Sequence, residues 1–142
     1  MTASRATSYR LDPRVKDRLS RRAAEEGISE RALLERLVTE GLDTLRYPGV
    51  VYRDGPTGRR AALAVGPDVW EVASALRYTD GSPEQRVAQL AEQFGLNPRH
   101  IRLAVDFAAG QRARIDGEVA ANDAAAEQVR VLAEQRAALM AG

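Results

Sequence analysis

The chain has 142 residues, of which 44% are hydrophobic, 29% charged and only 5% aromatic, as expected for one ordinary globular domain or a few small modules. It contains no Cys and one His, which excludes disulfides, thiolate zinc sites, thiol nucleophiles and histidine-based metal sites. No apolar stretch approaches the ~20 residues of a membrane span, and residues 1–10 lack the apolar segment of a secretory signal. These features favour a cytoplasmic binding protein, with no membrane partner, over an enzyme.

The net charge is only +1, but charge is distributed unevenly along the chain. Residues 1–22 carry seven basic and two acidic side chains, a net charge of +5, whereas residues 117–142 carry two basic and four acidic ones, a net charge of −2. A basic N-terminal segment suits a polyanion such as DNA. An acidic C-terminal segment suits a basic partner or adds solubility.

The first 45 residues show the pattern of a strand followed by two helices. Residues 7–11 alternate Thr, Tyr and Leu with Ser and Arg, which is the periodicity of a strand. The Asp-Pro pair at 12–13 predicts the start of a helix that ends at Gly27. Ser29 predicts the N-cap of a second helix, whose buried side is expected to hold Leu33, Leu34, Leu37, Val38, Leu42 and Leu45.

A strand-helix-helix unit of this size cannot cover its own apolar faces, and a lone strand leaves its backbone groups unpaired. Two copies remove both problems if their strands pair antiparallel and their helices interlock. The paired ribbon then turns Ala6, Ser8 and Arg10 towards solvent. In the DNA major groove an outward Arg can bind guanine through two hydrogen bonds. The alternative is a short edge strand beside an ordinary helical hairpin.

Residues 7–45 resemble the ribbon-helix-helix family, the dimeric repressors of the Arc, MetJ and CopG type. The resemblance rests on S-Y-R-L-D-P-R-V, on the Gly-Ile-Ser junction at 27–29 and on the A-L-L-E-R-L-V run. It implies a homodimer on double-stranded operator DNA, with bases contacted by alternate ribbon residues, here Ala6, Ser8 and Arg10. Phosphates are expected to meet basic side chains and the start of the second helix: Arg5, Arg14, Arg18, Ser29 and Glu30.

Residues 46–67 change character, because Gly and Pro recur there and two apolar runs, 50–52 and 61–65, flank a turn-rich tip. This pattern predicts a β-hairpin, after which Pro67-Asp68 opens a helix. Ser82 begins a capping box for the next helix, which is expected to stop at Gly95. Asn97-Pro98 then caps and starts another helix.

The window 83–106 has the spacing of a helix-turn-helix, with a small Ala91 at the helix crossing, Gly95 in the turn and Ile101 as an anchor. If this motif bound DNA, polar residues on the exposed side of its second helix would form a second DNA contact: Asn97, Arg99 and Arg102. The alternative is a helical hairpin whose small residues serve packing only.

Residues 47–116 as a whole resemble a module of bacterial antitoxins of the VapB-like kind, a hairpin followed by a winged-helix-like fold. The supporting runs are Y-P-G-V-V-Y, D-G-P-T-G-R-R, G-P-D-V-W-E-V and L-A-E-Q-F-G-L-N-P-R-H-I. This resemblance implies a PIN-like ribonuclease toxin as partner.

Residues 117–142 are Ala-rich and have too few bulky apolar side chains for an independent core. Such a segment becomes ordered by lying in a groove on another surface, which in the antitoxin interpretation belongs to the toxin. The expected contacts are Val129, Arg130, Leu132, Arg136 and Leu139. Two alternatives remain open: the helix packs within the dimer, or it is a frayed extension of the helix begun at Pro98.

The sequence thus predicts a mainly helical chain in three parts. These are a ribbon-helix-helix domain over 1–46 with an intermolecular two-stranded ribbon, a hairpin and helix-turn-helix module over 47–116, and a helical tail over 117–142. The predicted function is a type II antitoxin that represses its own operon as a dimer and neutralises a PIN-like ribonuclease toxin. The alternative is a free-standing ribbon-helix-helix repressor whose second module is an oligomerisation or effector domain. Neither function requires a cofactor or a metal ion.

Overall fold

The computed structural model describes residues 3–56 and 58–142 and is mainly helical, as the sequence predicts. The elements of this part follow in the order α1 (Pro13–Glu26), α2 (Glu30–Arg46), β1 (Val50–Gly55), β2 (Gly58–Leu63), α3 (Val69–Leu76), α4 (Pro83–Phe94), α5 (Pro98–Gly110) and α6 (Arg112–Ala141). The chain divides into two compact units, Met1–Leu42 and Asp43–Gly142, which we call the N-terminal unit and the C-terminal unit. The division falls inside α2, whereas the sequence predicted a boundary at the end of that helix, between 46 and 47.

Local capping interactions set the ends of the helices in the N-terminal unit. The Asp12 carboxylate accepts a hydrogen bond from the Arg14 amide at 2.8 Å, as expected of an N-cap. Gly27 ends α1 at a φ of 68°, a left-handed conformation that a residue without Cβ adopts at low cost. The Ser29 hydroxyl accepts a hydrogen bond from the Ala32 amide at 3.0 Å at the start of α2. These three predicted helix ends are confirmed.

The core of the N-terminal unit is small. Among its described residues, the buried hydrophobic side chains are Leu19, Ala23 and Leu33. The prediction that the other apolar residues of α2 are buried is wrong for the single chain, since they are 39% to 78% exposed: Leu34, Leu37, Val38, Leu42 and Leu45. A single facing helix covers one stripe of α2, and the rest of its apolar surface is left open.

The predicted strand at 7–11 is not formed in the single chain, because residues 3–12 belong to neither a strand nor a helix. A strand is held by hydrogen bonds to a neighbouring strand. In the part of the chain that the structure describes, the strands β1 and β2 pair with each other and lie after α1 and α2 in the sequence. The intermolecular ribbon therefore stays a prediction.

The predicted hairpin forms the two-stranded sheet of the C-terminal unit. Its antiparallel register pairs Val50 with Leu63 at the open end and Gly55 with Gly58 at the tip. The Arg60 guanidinium on β2 lies 2.9 Å from the carboxylate of Asp68, and both side chains are largely buried. Asp68 directly precedes α3, so the helix that the sequence opens at this point is also confirmed.

The ends of α4 and α5 are set as the sequence predicts. The Ser82 hydroxyl accepts a hydrogen bond from the Gln85 amide at 3.2 Å, and the Gln85 side chain accepts one from the Ser82 amide at 2.9 Å. Gly95 ends α4 at a φ of 65°. The Asn97 side chain accepts a hydrogen bond from the Arg99 amide at 3.0 Å and caps α5.

All elements from β1 to α6 contribute to the core of the C-terminal unit. Ala91 and Ile101, which the sequence placed where α4 and α5 cross, are buried there. Phe107 is the largest fully buried side chain, and its ring meets that of Tyr47 edge-on, with the ring centres 5.1 Å apart. Ile115 joins this core from the first turns of α6.

The last helix, α6, is separate from α5, because the chain leaves the helical conformation at Gln111. It is therefore not an extension of the helix begun at Pro98, and position 117, where the sequence predicted the tail to begin, lies inside it. An ion pair at 3.0 Å joins Asp123 to Arg77 at the end of α3. From residue 123 onwards every side chain of α6 is exposed.

Candidate nucleic-acid interface and partner-binding surfaces

The N-terminal segment presents the predicted base-contacting residues to solvent. Ala6, Ser8 and Arg10 are all exposed, and Tyr9 between them is 83% exposed. Among the described residues, the Arg10 side chain has no hydrogen bond or ion pair. Its guanidinium therefore keeps all of its donors for bidentate contacts. The single chain does not fix these three residues into one reading surface, because the segment has no partner strand.

The predicted phosphate contacts in this region are also exposed. Arg5 and Arg18 have no side-chain partner among the described residues. Arg14 lies 3.8 Å from the Asp12 carboxylate, in an ion pair whose side chains are 93% and 54% exposed. A pair of this exposure contributes little to stability, so a phosphate can replace Asp12 at low cost.

At the start of α2, the two side chains predicted to bind phosphate already have partners within the chain. The Ser29 hydroxyl is engaged in capping the Ala32 amide. The Glu30 carboxylate accepts hydrogen bonds from the Lys16 ammonium and the Ser20 hydroxyl, which lower the pKa of Glu30. A phosphate at this point would therefore meet the backbone amides of the first helical turn, and neither of the two side chains predicted to bind it.

The N-terminal unit exposes a set of large apolar side chains that we call the apolar face: Tyr9, Leu11, Val15, Leu34, Leu37, Val38 and Leu42. Four of them line a groove of about 450 Å³ beside the buried Leu19 and Leu33, together with Arg18 and Arg22. Contiguous exposed apolar patches are typical of surfaces that contact another molecule.

At the start of α5, the three residues proposed for a second DNA contact lie close together, but two of them already have partners. Asn97 caps the helix, and Arg102 pairs with Glu84 at 2.8 Å. Arg99 is exposed and has no side-chain partner among the described residues. Asp106 is exposed further along α5 and opposes an approaching phosphate. Of the three residues predicted for a second DNA contact, Arg99 therefore remains the one whose side chain is not already engaged within the described part of the chain.

The C-terminal part of α6 exposes apolar residues at helical spacing. We call this row the α6 stripe: Val129, Leu132, Arg136, Leu139 and Met140. Its apolar members are 55% to 83% exposed. Four of the five were predicted as partner contacts. Met140 was missed, although its position four residues after Arg136 places it on the same side of the helix.

The two arginines predicted to contact a partner differ in their surroundings. Arg130 binds Glu127, with a hydrogen bond from Nε at 3.0 Å, and also pairs with Glu134. These contacts raise the pKa of Arg130 and lower that of Glu127. The three residues form a charged row beside the stripe. Arg136 lies on the stripe itself and has no side-chain partner among the described residues. The structure thus favours Arg136 over Arg130 as a contact of the stripe.

In the described part of the chain, no three His, Cys, Asp or Glu side chains lie close enough to hold a metal ion. None of its helices combines the length and apolar character needed to cross a membrane. Comparison with known proteins adds no relative, since no family model, curated protein or solved structure matches the chain.

Proposed function

We propose that the chain is a dimeric DNA-binding repressor of the ribbon-helix-helix type, in which two copies meet through the apolar face. The main support comes from the N-terminal unit. Its buried core consists of Leu19, Ala23 and Leu33, whereas its exposed apolar face is much larger. Full burial of one large apolar side chain stabilises by about 1.5–3 kcal/mol. Covering the apolar face with a second copy supplies burial that the single unit lacks.

The N-terminal segment suits the ribbon of such a dimer. In the single chain Tyr9 and Leu11 line a groove beside Leu34. Because successive side chains of a strand point to opposite sides, Ser8 and Arg10 then belong to the outer side of the ribbon. Pairing of residues 7–11 between two copies satisfies their backbone groups and presents two Ser and two Arg side chains to the major groove.

A selection of DNA sites from a random pool with the full-length chain tests this function. A symmetric dimer selects two inverted half-sites, because the operator mirrors the two-fold symmetry of the protein. The recovered sites are therefore expected to be palindromic, with a spacing shared by all of them. Recovery of no common sequence, or of a single unrepeated site, would count against the ribbon.

We further propose that the repressor is an antitoxin and that the α6 stripe contacts a PIN-like ribonuclease toxin encoded beside it. The supporting observation is that residues 123–142 are exposed on all sides, although the stripe carries four large apolar side chains. An amphipathic helix of this kind is suited to an apolar groove on a partner protein. The free-standing repressor is the alternative, in which the stripe serves contacts between copies.

Two valines of α6 provide a matched test of the antitoxin function. Val129 lies on the stripe and is 69% exposed, whereas Val131 lies off the stripe and is 37% exposed. Val129→Asp is expected to lower the affinity for the product of the neighbouring gene at least tenfold, and Val131→Asp to leave it unchanged. Equal affinities of the two variants would exclude the stripe as the toxin contact. A neighbouring product that does not bind the wild-type chain would support the free-standing repressor.

A further inference from the structure

A small polar cavity lies in the C-terminal unit between the strand β2 and the helix α6. It encloses about 230 Å³ and is lined by Arg59, Arg60, Arg114 and Glu118, together with glycine and alanine residues. The lining thus carries three positive charges and one negative charge, which favours an anion. The planar guanidinium group matches the oxygen atoms of a tetrahedral oxyanion such as phosphate.

The arginines of the cavity keep hydrogen-bond donors for a ligand. Arg114 donates from Nη1 to the Tyr52 hydroxyl at 3.1 Å, and Arg60 meets the carboxylate of Asp68 through Nε at 2.9 Å. A guanidinium has five N–H donors, so one such contact does not exhaust it. The contacts within the chain therefore orient these two side chains and leave further N–H groups for an anion.

Glu118 makes the cavity more selective than a group of arginines alone. Only 20% of its side chain is exposed, and its Oε1 lies 3.8 Å from Arg114, beyond hydrogen-bond distance. Its Oε2 is buried and has no hydrogen-bond partner among the described residues. Burial raises the pKa of Glu118, although the charges of Arg114 and Arg60 lower it. Because the last torsion of a Glu side chain is soft, either oxygen can accept a hydrogen bond from a ligand in the cavity.

We infer that this cavity binds inorganic hydrogen phosphate. The arginines donate hydrogen bonds to the unprotonated oxygens of the ion, and its P–OH group donates one to the Glu118 carboxylate. Sulfate has the same tetrahedral shape, but it has no proton at neutral pH, so its oxygens are repelled by Glu118. The phosphodiesters of DNA lack this proton too, which separates the cavity from the predicted operator contacts.

Isothermal titration calorimetry of the full-length chain tests this site without DNA or toxin, and so independently of the proposed function. At neutral pH and equal ionic strength, we expect one phosphate to bind per chain, and sulfate to bind at least tenfold more weakly. Glu118→Gln should abolish this preference, because an amide group can donate a hydrogen bond to sulfate. Asp116→Asn changes an exposed acid of the same helix outside the cavity and should retain the preference.

Two arginines of α6 provide a matched test of the positive charge. Arg114→Gln should lower the phosphate affinity at least tenfold, whereas Arg112→Gln, outside the cavity, should leave it unchanged. Because Arg114 also contacts Tyr52, Arg59→Gln on β2 is a second variant that should weaken phosphate binding. Circular dichroism verifies that each variant is folded.

Two organic phosphates identify the form of phosphate that is bound. Glycerol 3-phosphate has mostly lost its second proton at neutral pH, and dimethyl phosphate has no proton to donate, so both should bind more weakly than inorganic phosphate. Tighter binding of either compound would contradict the site. Equal affinities of the wild type for phosphate and sulfate, a preference that Glu118→Gln does not alter, or no phosphate binding at millimolar concentrations would also overturn it.

Discussion

The two units of the chain differ in how many of their large apolar side chains are buried. Among the described residues of the C-terminal unit, eleven buried side chains from two strands and four helices form one core. In the N-terminal unit, three buried side chains form the core, and α2 has more large apolar residues exposed than buried. The proposed dimer would supply the N-terminal unit with apolar burial that the C-terminal unit already has within one chain.

The polar contacts of the two units also differ in how far they are exposed to solvent. In the N-terminal unit, Glu26 is bound by Arg36 through two hydrogen bonds of 2.9 Å and by Arg22, at an exposed site. In the C-terminal unit, the half-buried Tyr52 hydroxyl donates to Asp43 and accepts from Arg114, and burial raises the pKa of Tyr52 to about 12. Exposed ion pairs are screened by salt more than buried contacts. We therefore expect salt and pH to affect the N-terminal unit first.

The largest expected effect comes from placing a charge on the apolar face. Leu37→Asp adds two unpaired carboxylates to the interface of the proposed dimer, and burial of such charges is strongly unfavourable. It should lower operator affinity at least a hundredfold in a fluorescence anisotropy titration. Val131→Asp, which also places a charge at an exposed apolar residue but lies on α6 away from the stripe, is the control and should bind operator DNA as the wild type does. Equal operator affinities of the two variants would exclude the apolar face as the dimer contact.

A cavity introduced into the C-terminal core should lower the stability of the C-terminal unit and leave that of the N-terminal unit unchanged. Phe107→Ala removes the largest fully buried side chain and is expected to destabilise the C-terminal unit by about 3–5 kcal/mol. The single Trp of the chain, Trp70, lies in that unit, so its fluorescence during urea denaturation measures the loss directly. Hydrogen exchange of amides in α1 and in residues 30–42 of α2 should not change. Faster exchange there would show that the units do not fold independently.

A smaller effect is expected from Arg10→Ala. Loss of one bidentate contact per half-site should cost about 1–3 kcal/mol for the operator and relax the preference at one base position. Arg5→Ala is the comparison, since loss of a phosphate contact weakens all sequences alike and reduces the salt slope by about one unit. If Arg10→Ala weakened specific and non-specific binding equally, the ribbon would not be reading bases.

The smallest expected effect is the response of the N-terminal unit to acid. The hydrogen bonds from Arg36 and Arg22 lower the pKa of Glu26 from 4.5 to about 2. The stabilisation from this ionised carboxylate is therefore fully present above pH 4.5 and is lost as the pH falls from 4.5 towards 2. Glu26→Gln should reduce the acid dependence of helix unfolding measured by circular dichroism, with Glu25→Gln as the control. Identical acid dependence in the wild type and Glu26→Gln would contradict the assignment.

What could be predicted from the sequence was chiefly local. Asp12, Gly27, Ser82, Gly95 and Asn97 set helix ends through contacts within a few residues, and all five were predicted. The burial of the α2 leucines and the strand at 7–11 were not recovered in the single chain, because one facing helix covers one stripe of α2 and no described strand lies beside residues 7–11. The sequence also did not predict that the Glu30 and Arg130 side chains already form ion pairs within the chain, since a sequence does not show which ion pairs a charged residue forms.

Hydrogen exchange of the full-length chain at several protein concentrations tests the central contrast between the units most directly. With the Val129→Asp substitution in place, contacts through the α6 stripe are removed, and association depends on the N-terminal unit. We expect the protection of amides in α1 and in residues 30–42 of α2 to rise with protein concentration, because the proposed dimer couples folding of that unit to association. Amides in α3, α4 and α5 should show constant protection. Concentration-independent protection of α1 and α2 in a monomeric protein would contradict the account.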